Sequence, residues 1–375
     1  MRWLRWAALA GALALAGCAI APVADPAASA AARQDTGPQA VIGALALDPQ
    51  VESQILAIDP LHVTDREVRE VLALGPTPRV VALHGGIYPV HLLMDSFTRF
   101  LAGMGYPPHK LRHPGDGRRS HSPYESSLQI AGLIGWYYEH EGLMPMMVGH
   151  SQGGIQLVKV LHDLAGDGVD RIPVWNPLTD AAEPRVTIID PFSGAERPVV
   201  GLKIGYASAV ASGGAALLLP NQWSMVRRLR TIPDSVGEFT GYALAVDLVA
   251  WDMPGAGGRY RATGVAQVRN VELPADYSHV YVAATSHLAR DPALRDWINA
   301  YAPGQVPPLP AQAKSTDNIL WAADVWFHIK KHWVLEAQKV VRARHDLARR
   351  QAAVDRDGVS AGPPALPALA EDARP

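Results

Sequence analysis

A single cysteine, Cys18, stands in a chain of 375 residues, so an intramolecular disulfide framework and any multi-cysteine zinc or iron–sulfur site are excluded. Charge is scarce as well: 19% of residues are charged, and 34 basic against 36 acidic side chains leave a formal net charge of −2. Such a surface offers no excess charge to neutralise a polyanion, which argues against nucleic acid as the main partner. No internal repeat is evident. A Gly-x-Gly-x-x-Gly fingerprint after a strand is missing too, so nothing points to a dinucleotide cofactor. The apolar run Trp6 to Leu15 is too short to span a bilayer.

What is present begins with that run. Arg2 and Arg5 precede it and the small residues Ala16 and Gly17 follow, the pattern of a secretory signal over residues 1–17. Leu15-Ala16-Gly17-Cys18 resembles the bacterial lipoprotein lipobox, which implies cleavage before Cys18 and acylation of that residue. Several acyl chains on one residue meet the requirement of more than one anchoring signal for stable attachment. Ala19, where an aspartate would mark inner-membrane retention, implies the outer membrane of the cell envelope. Residues 18–40 are rich in Ala and Pro without an apolar period and read as a flexible tether. Residues 358–375, with Pro363, Pro364 and Pro367 among alanines, read as a disordered tail.

Hydrophobic residues make up 48% of the chain, enough for a large core, and the length suits one enlarged α/β domain over residues 41–357. Apolar runs alternate there with helical patterns, the signature of a mostly parallel sheet with crossover helices on both faces. Strands are expected at Arg79–Leu83, Pro145–Val148, Leu202–Ala209, Ala243–Trp251, Val268–Leu273 and His279–Ala283, with a brief one at Lys110–Arg112. Helices are expected at His91–Met104, Tyr124–Glu141 and from Gly149 to about Leu164. Residues 172–200 read as an inserted β-hairpin arm, and 217–240 as a lid-like helical segment. A long helix is expected over about 316–350, its apolar stripe packed on the domain and its lysines in solvent.

Gly149-His150-Ser151-Gln152-Gly153 fits the Gly-x-Ser-x-Gly nucleophile elbow, with an apolar strand before it and a helix after it. A serine on so sharp a turn crowds residues two positions away on either side, which the glycines allow. The helix behind it brings unpaired N–H groups toward developing negative charge. On these residues the chain resembles the α/β-hydrolase superfamily, lipases and esterases in particular. His84-Gly85-Gly86 at the end of an earlier strand resembles the oxyanion-hole loop of the same enzymes, with Ile87 in place of a third glycine. The resemblance implies oxyanion donors from Gln152 and from Gly85, Gly86 or Ile87.

It also implies the chain order nucleophile, acid, histidine. His287 is favoured as the base because Asp291-Pro292 starts a helix just after it, whereas His279 is expected to enter a strand. Asp252, at the end of an apolar run, is favoured as the acid, with Asp247 the alternative and Asp190 third. His150, adjacent to Ser151, is assigned to packing beside the elbow. His109, His113 and His121 lie among Lys110, Arg112, Arg118 and Arg119 and are read as a solvated loop rather than a metal site. Gly213-Gly214 is read as close packing after a strand. The implied activity is hydrolysis of carboxylic esters, with no cofactor and a small-molecule or lipid ester as substrate. Acyl transfer through the same residues and a non-catalytic envelope lipoprotein are the alternatives.

Overall fold

A computed structural model describes residues 39–360, apart from 215–216, 218, 246, 248, 250–257, 312 and 314–317. Cys18, the signal and the tail lie outside the described residues. Helices α1 (Gln39–Ala44), α2 (Pro49–Ala57) and α3 (Asp65–Glu70) lead to strand β1 (Val80–Leu83). There follow α4 (Tyr88–Gly103), α5 (Ser127–Glu141), β2 (Met146–His150) and α6 (Gln152–Leu164). Four short strands come next, β3 (Trp175–Asn176), β4 (Ala181–Ala182), β5 (Thr187–Ile189) and β6 (Glu196–Pro198), and then β7 (Ile204–Val210). The last elements are β8 (Thr231–Ile232), β9 (Val236–Leu244), β10 (Arg261–Ala262), β11 (Gln267–Leu273), α7 (Pro292–Ala300) and α8 (Ile319–Ser360).

Strands β1, β2, β7, β9 and β11 form a five-stranded sheet in that spatial order, and every pairing in it is parallel. Successive strand residues enter different cores, as the two-residue period requires. Val80, Ala82, Met146, Val148, Tyr206 and Tyr242 join a core with residues of α4, α7 and α8. Val81, Leu83, Met147, Ala207 and Phe239 join a second one with α5 and α6. Helices therefore cover both faces. With all strands parallel, every strand's C-terminal end opens on one edge, where loops from different strands meet.

The arm is two hairpins, β3 with β4 and β5 with β6, laid against α5. Asp190 belongs to this arm: its carboxylate accepts the N–H groups of Phe192 and Ser193 and the hydroxyl of Tyr138. Those bonds make it a turn-forming residue.

Three expectations need correction. Residues 217–240 form no lid helix: a 3-10 turn at Pro220–Met225 is followed by β8 and the start of central strand β9. Leu217, Met225 and Leu229 bury into the core shared with α6, so the apolar stripe serves packing. Lys110–Arg112 is no strand but the end of a 3-10 turn, Pro108–Leu111, and its exit. The apolar run His279–Ala283 is a series of turns, with Val282 N–H bonded to Ser278 O and Ala284 N–H to Tyr281 O. Its apolar residues signal burial, and among the described residues the last strand is β11.

Helix α8 buries Trp321, Trp326 and Trp333 completely. Lys330, expected in solvent, is buried also. No described helix is long and apolar enough to cross a membrane.

Candidate active site

Ser151 joins β2 to α6 with φ 55° and ψ −126°, a conformation a non-glycine residue holds only where its surroundings impose it. Ser151 N–H is bonded to Val210 O of the neighbouring strand at 2.8 Å. Close approach explains the flanking glycines: a Cβ on Gly153 would stand 2.4 Å from His84 O, and one on Gly149 2.7 Å from Gly153 O. Both would meet backbone, which cannot swing aside.

His279, in the loop after β11, places Nε2 2.9 Å from Ser151 Oγ. Its Nδ1 lies 2.7 and 2.9 Å from the two carboxylate oxygens of Asp247, just past β9. A carboxylate can only accept, so Nδ1 carries the proton and Nε2 presents its lone pair to the serine hydroxyl. The His279 and Asp247 side chains are about nine-tenths buried, which shields their pairing from water. The loop is held by α8: Asn318 donates to Tyr281 O, and the N–H of Leu320 to the hydroxyl of Tyr277.

His287, the favoured base, is exposed on a turn beyond this loop, with its carbonyl bonded to Arg290 N–H. The structure brings His279 to Ser151 instead. Expecting a strand at His279 misdirected the assignment, although the helix start at Asp291, which accepts from Ala293 and Leu294 N–H groups, is where the sequence placed it. Asp252 lies outside the described residues, and Asp247 is the carboxylate that meets the histidine. The run expected as strand Ala243–Trp251 leaves the sheet at Leu244, which puts Asp247 in the loop.

The loop after β1 lies over the elbow. A Cβ on Gly85 would come 3.1 Å from Ser151 Cβ. The Gly85 carbonyl takes a bond from His84 Nδ1 and that of Gly86 from the hydroxyl of Tyr124, so the loop is fixed from two sides. Gln152 is the first residue of α6, and its N–H is among those a helix start leaves without an intrahelical partner. Gly85 thus lies against Ser151, and Gly86 against the side chain of Gln152.

His150 has a role that the sequence did not disclose. It is fully buried, its Nε2 donates to His279 O at 2.7 Å, and burial pushes it down to about 3, so it stays neutral. The residue before the nucleophile therefore holds the backbone of the histidine. The only available signal was its place in the elbow.

His113 and His121 are buried rather than solvated. His121 forms a parallel bridge with Leu83 and pairs with Glu125 at 2.8 Å, which braces the strand before the oxyanion-type loop. Among the described residues no group of three His, Cys, Asp or Glu side chains is arranged to hold a metal ion.

Beside the triad, about 220 Å³ of space opens among the ends of β7, β9 and β11, lined by Ser212, Gly213, Asp247 and Tyr260 among others. Ile87, Tyr124 and Tyr281 are each more than half exposed on the surrounding loops. No protein-family model matches the chain, and no curated protein matches it.

Proposed function

We propose that the chain is a serine hydrolase of the α/β-hydrolase type that cleaves carboxylic esters. One observation carries this reading: the hydrogen-bonded series Ser151 Oγ, His279, Asp247, assembled from three loops at one edge of a parallel sheet. His279 Nε2 takes the serine proton as Oγ attacks the ester carbonyl. Asp247 holds the imidazole in the required tautomer and stabilises its protonated form. The tetrahedral oxyanion is stabilised by Gln152 N–H together with an N–H of the Gly85–Ile87 loop. Protonation of the alcohol oxygen by His279 frees the leaving group, and water then attacks the acyl-enzyme with His279 again as base.

Supporting the reading are the order of strands, with the oxyanion-type loop, nucleophile, acid and histidine following β1, β2, β9 and β11 of one sheet, and the strained backbone at Ser151. The apolar side chains Ile87, Tyr124 and Tyr281 around the serine favour an ester with an apolar acyl or alcohol part. Tethering to the envelope through Cys18 belongs to the same proposal and rests on the lipobox sequence. A p-nitrophenyl ester series of increasing acyl length tests the activity. Turnover that rises from acetate toward medium chains is the expected result, and no turnover of any member would refute the reading.

A further inference from the structure

A second cleft lies away from the serine. It has about 550 Å³ of space and is bounded by the segment before α3, the end of α7, the first third of α8 and Arg269 of β11. Arg269 stands four residues before the end of its strand, roughly 13 Å along the sheet at 3.3 Å per residue, so the cleft is not part of the edge that carries Ser151. Its volume falls in the range of small-molecule sites. Leu61, Val63, Pro303 and Phe327 give it apolar walls, and no Asp or Glu is among the described residues that line it.

The charge in this cleft is unbalanced. Arg269 is neutralised by Asp324, whose carboxylate also accepts the hydroxyls of Tyr242 and Tyr301. Lys330 is only 3% exposed, and its Nζ bonds to two backbone carbonyls, Val63 O at 2.7 Å and Asn299 O at 3.4 Å. An ammonium has three protons to donate, and these carbonyls take two. The nearest acids are engaged elsewhere: Asp65 with Arg69 and Asn299, Glu67 with Thr64. Burial pushes the lysine down to about 8, so it remains mostly charged at neutral pH. Arg269 Nε is buried without a hydrogen-bond partner. Lys330 therefore lines the cleft as a buried cation with the Trp326 ring 5.9 Å from its Nζ and no carboxylate bonded to it, an arrangement that an anion would complete.

We propose that this cleft binds an organic anion with an apolar body, its carboxylate or phosphate group bonded to Lys330 Nζ beside Arg269 and its chain against Leu61 and Phe327. Octanoate, octyl phosphate and 1-octanol would be titrated calorimetrically into the full chain. Saturable binding of one or both anions, at least tenfold tighter than that of the alcohol, is expected, and the tighter anion identifies the head group. Lys330→Met keeps the volume and removes the charge, and should weaken the anion about tenfold to a hundredfold, the loss of one charge-assisted bond. Ala302→Trp, at the rim, should block binding without touching a charged group, and serves if the lysine variant does not fold. Absence of anion binding to the parent protein at millimolar ligand, equal binding of the alcohol, or undiminished binding in both variants would overturn the proposal.

Discussion

Two groups of histidines and carboxylates sit on the same sheet, and they differ in which elements hold them. Inside the fold, Glu238 of β9 accepts from Lys331 at 2.6 Å and His332 at 3.0 Å, with His328 Nδ1 2.9 Å away, all from α8. Arg269 donates to the other nitrogen of His328 at 2.9 Å, and Tyr206 stacks between His328 and His332 at 5.3 Å from each ring. Every member is on a strand or helix and is held from several sides. At the C-terminal edge, Asp247 and His279 sit on loops, and the series ends in a serine hydroxyl whose backbone is strained. A network that joins strands to a helix in this way fixes the helix to the sheet, whereas a series that ends in a hydroxyl at the sheet edge can pass a proton to something that arrives.

The contrast predicts different responses to substitution. Ser151→Ala or His279→Ala is expected to lower ester turnover on the order of 10⁵-fold with an unchanged melting temperature, measured by steady-state kinetics and circular dichroism. Asp247→Asn should cost about 10⁴-fold in kcat, since it removes the acceptor that sets the tautomer. Glu238→Ala should do the reverse, costing about 3 kcal/mol of stability in denaturant titration because it leaves buried partners unmatched, while kcat of the folded fraction stays near the parent value.

Glu238 also predicts the sign of an acid effect. Burial by itself would raise its carboxyl, but the bonds from His328, His332 and Lys331 outweigh that and hold it far below the usual carboxylate range. Its contribution is therefore fully present above the ordinary carboxylate value and is lost as pH falls toward the depressed one. Glu238→Gln should flatten stability against pH in that acid window, and an unaltered acid limb would break the contrast. The smallest expected effect is that of His150→Phe: without its bond to His279 O, kcat should fall about tenfold, with KM little changed.

Parts of this arrangement were legible in the sequence because they are local. The elbow is written in five consecutive residues, and its glycines are required by contacts with backbone close by. Strands buried on both faces read as apolar runs, so β1, β2 and β7 stand near their expected places, and the half-buried edge strand β11 does too. The acid and base were harder, because which histidine reaches Ser151 depends on how the loop after β11 turns. The run at His279–Ala283 is apolar enough to imitate a strand, and only packing against α8 through Asn318 and Tyr277 separates the two. Asp247 was obscured in the same way, since the apolar residues after Leu244 extend the look of a strand past the sheet. Lys330 illustrates the limit from the other side: its neighbours on α8 predict an exposed lysine, and only the carbonyls of Val63 and Asn299, distant in sequence, take it inside.

The geometry predicts that His279, and not His287, activates Ser151. Labelling with a fluorophosphonate probe, with the modified residue located by peptide mass spectrometry, tests it most directly. The adduct is expected on Ser151, absent in Ser151→Ala, slowed by at least a hundredfold in His279→Ala, and formed at the parent rate in His287→Ala. Labelling of His279→Ala at the parent rate, or an adduct on another residue, would show that His279 does not activate Ser151.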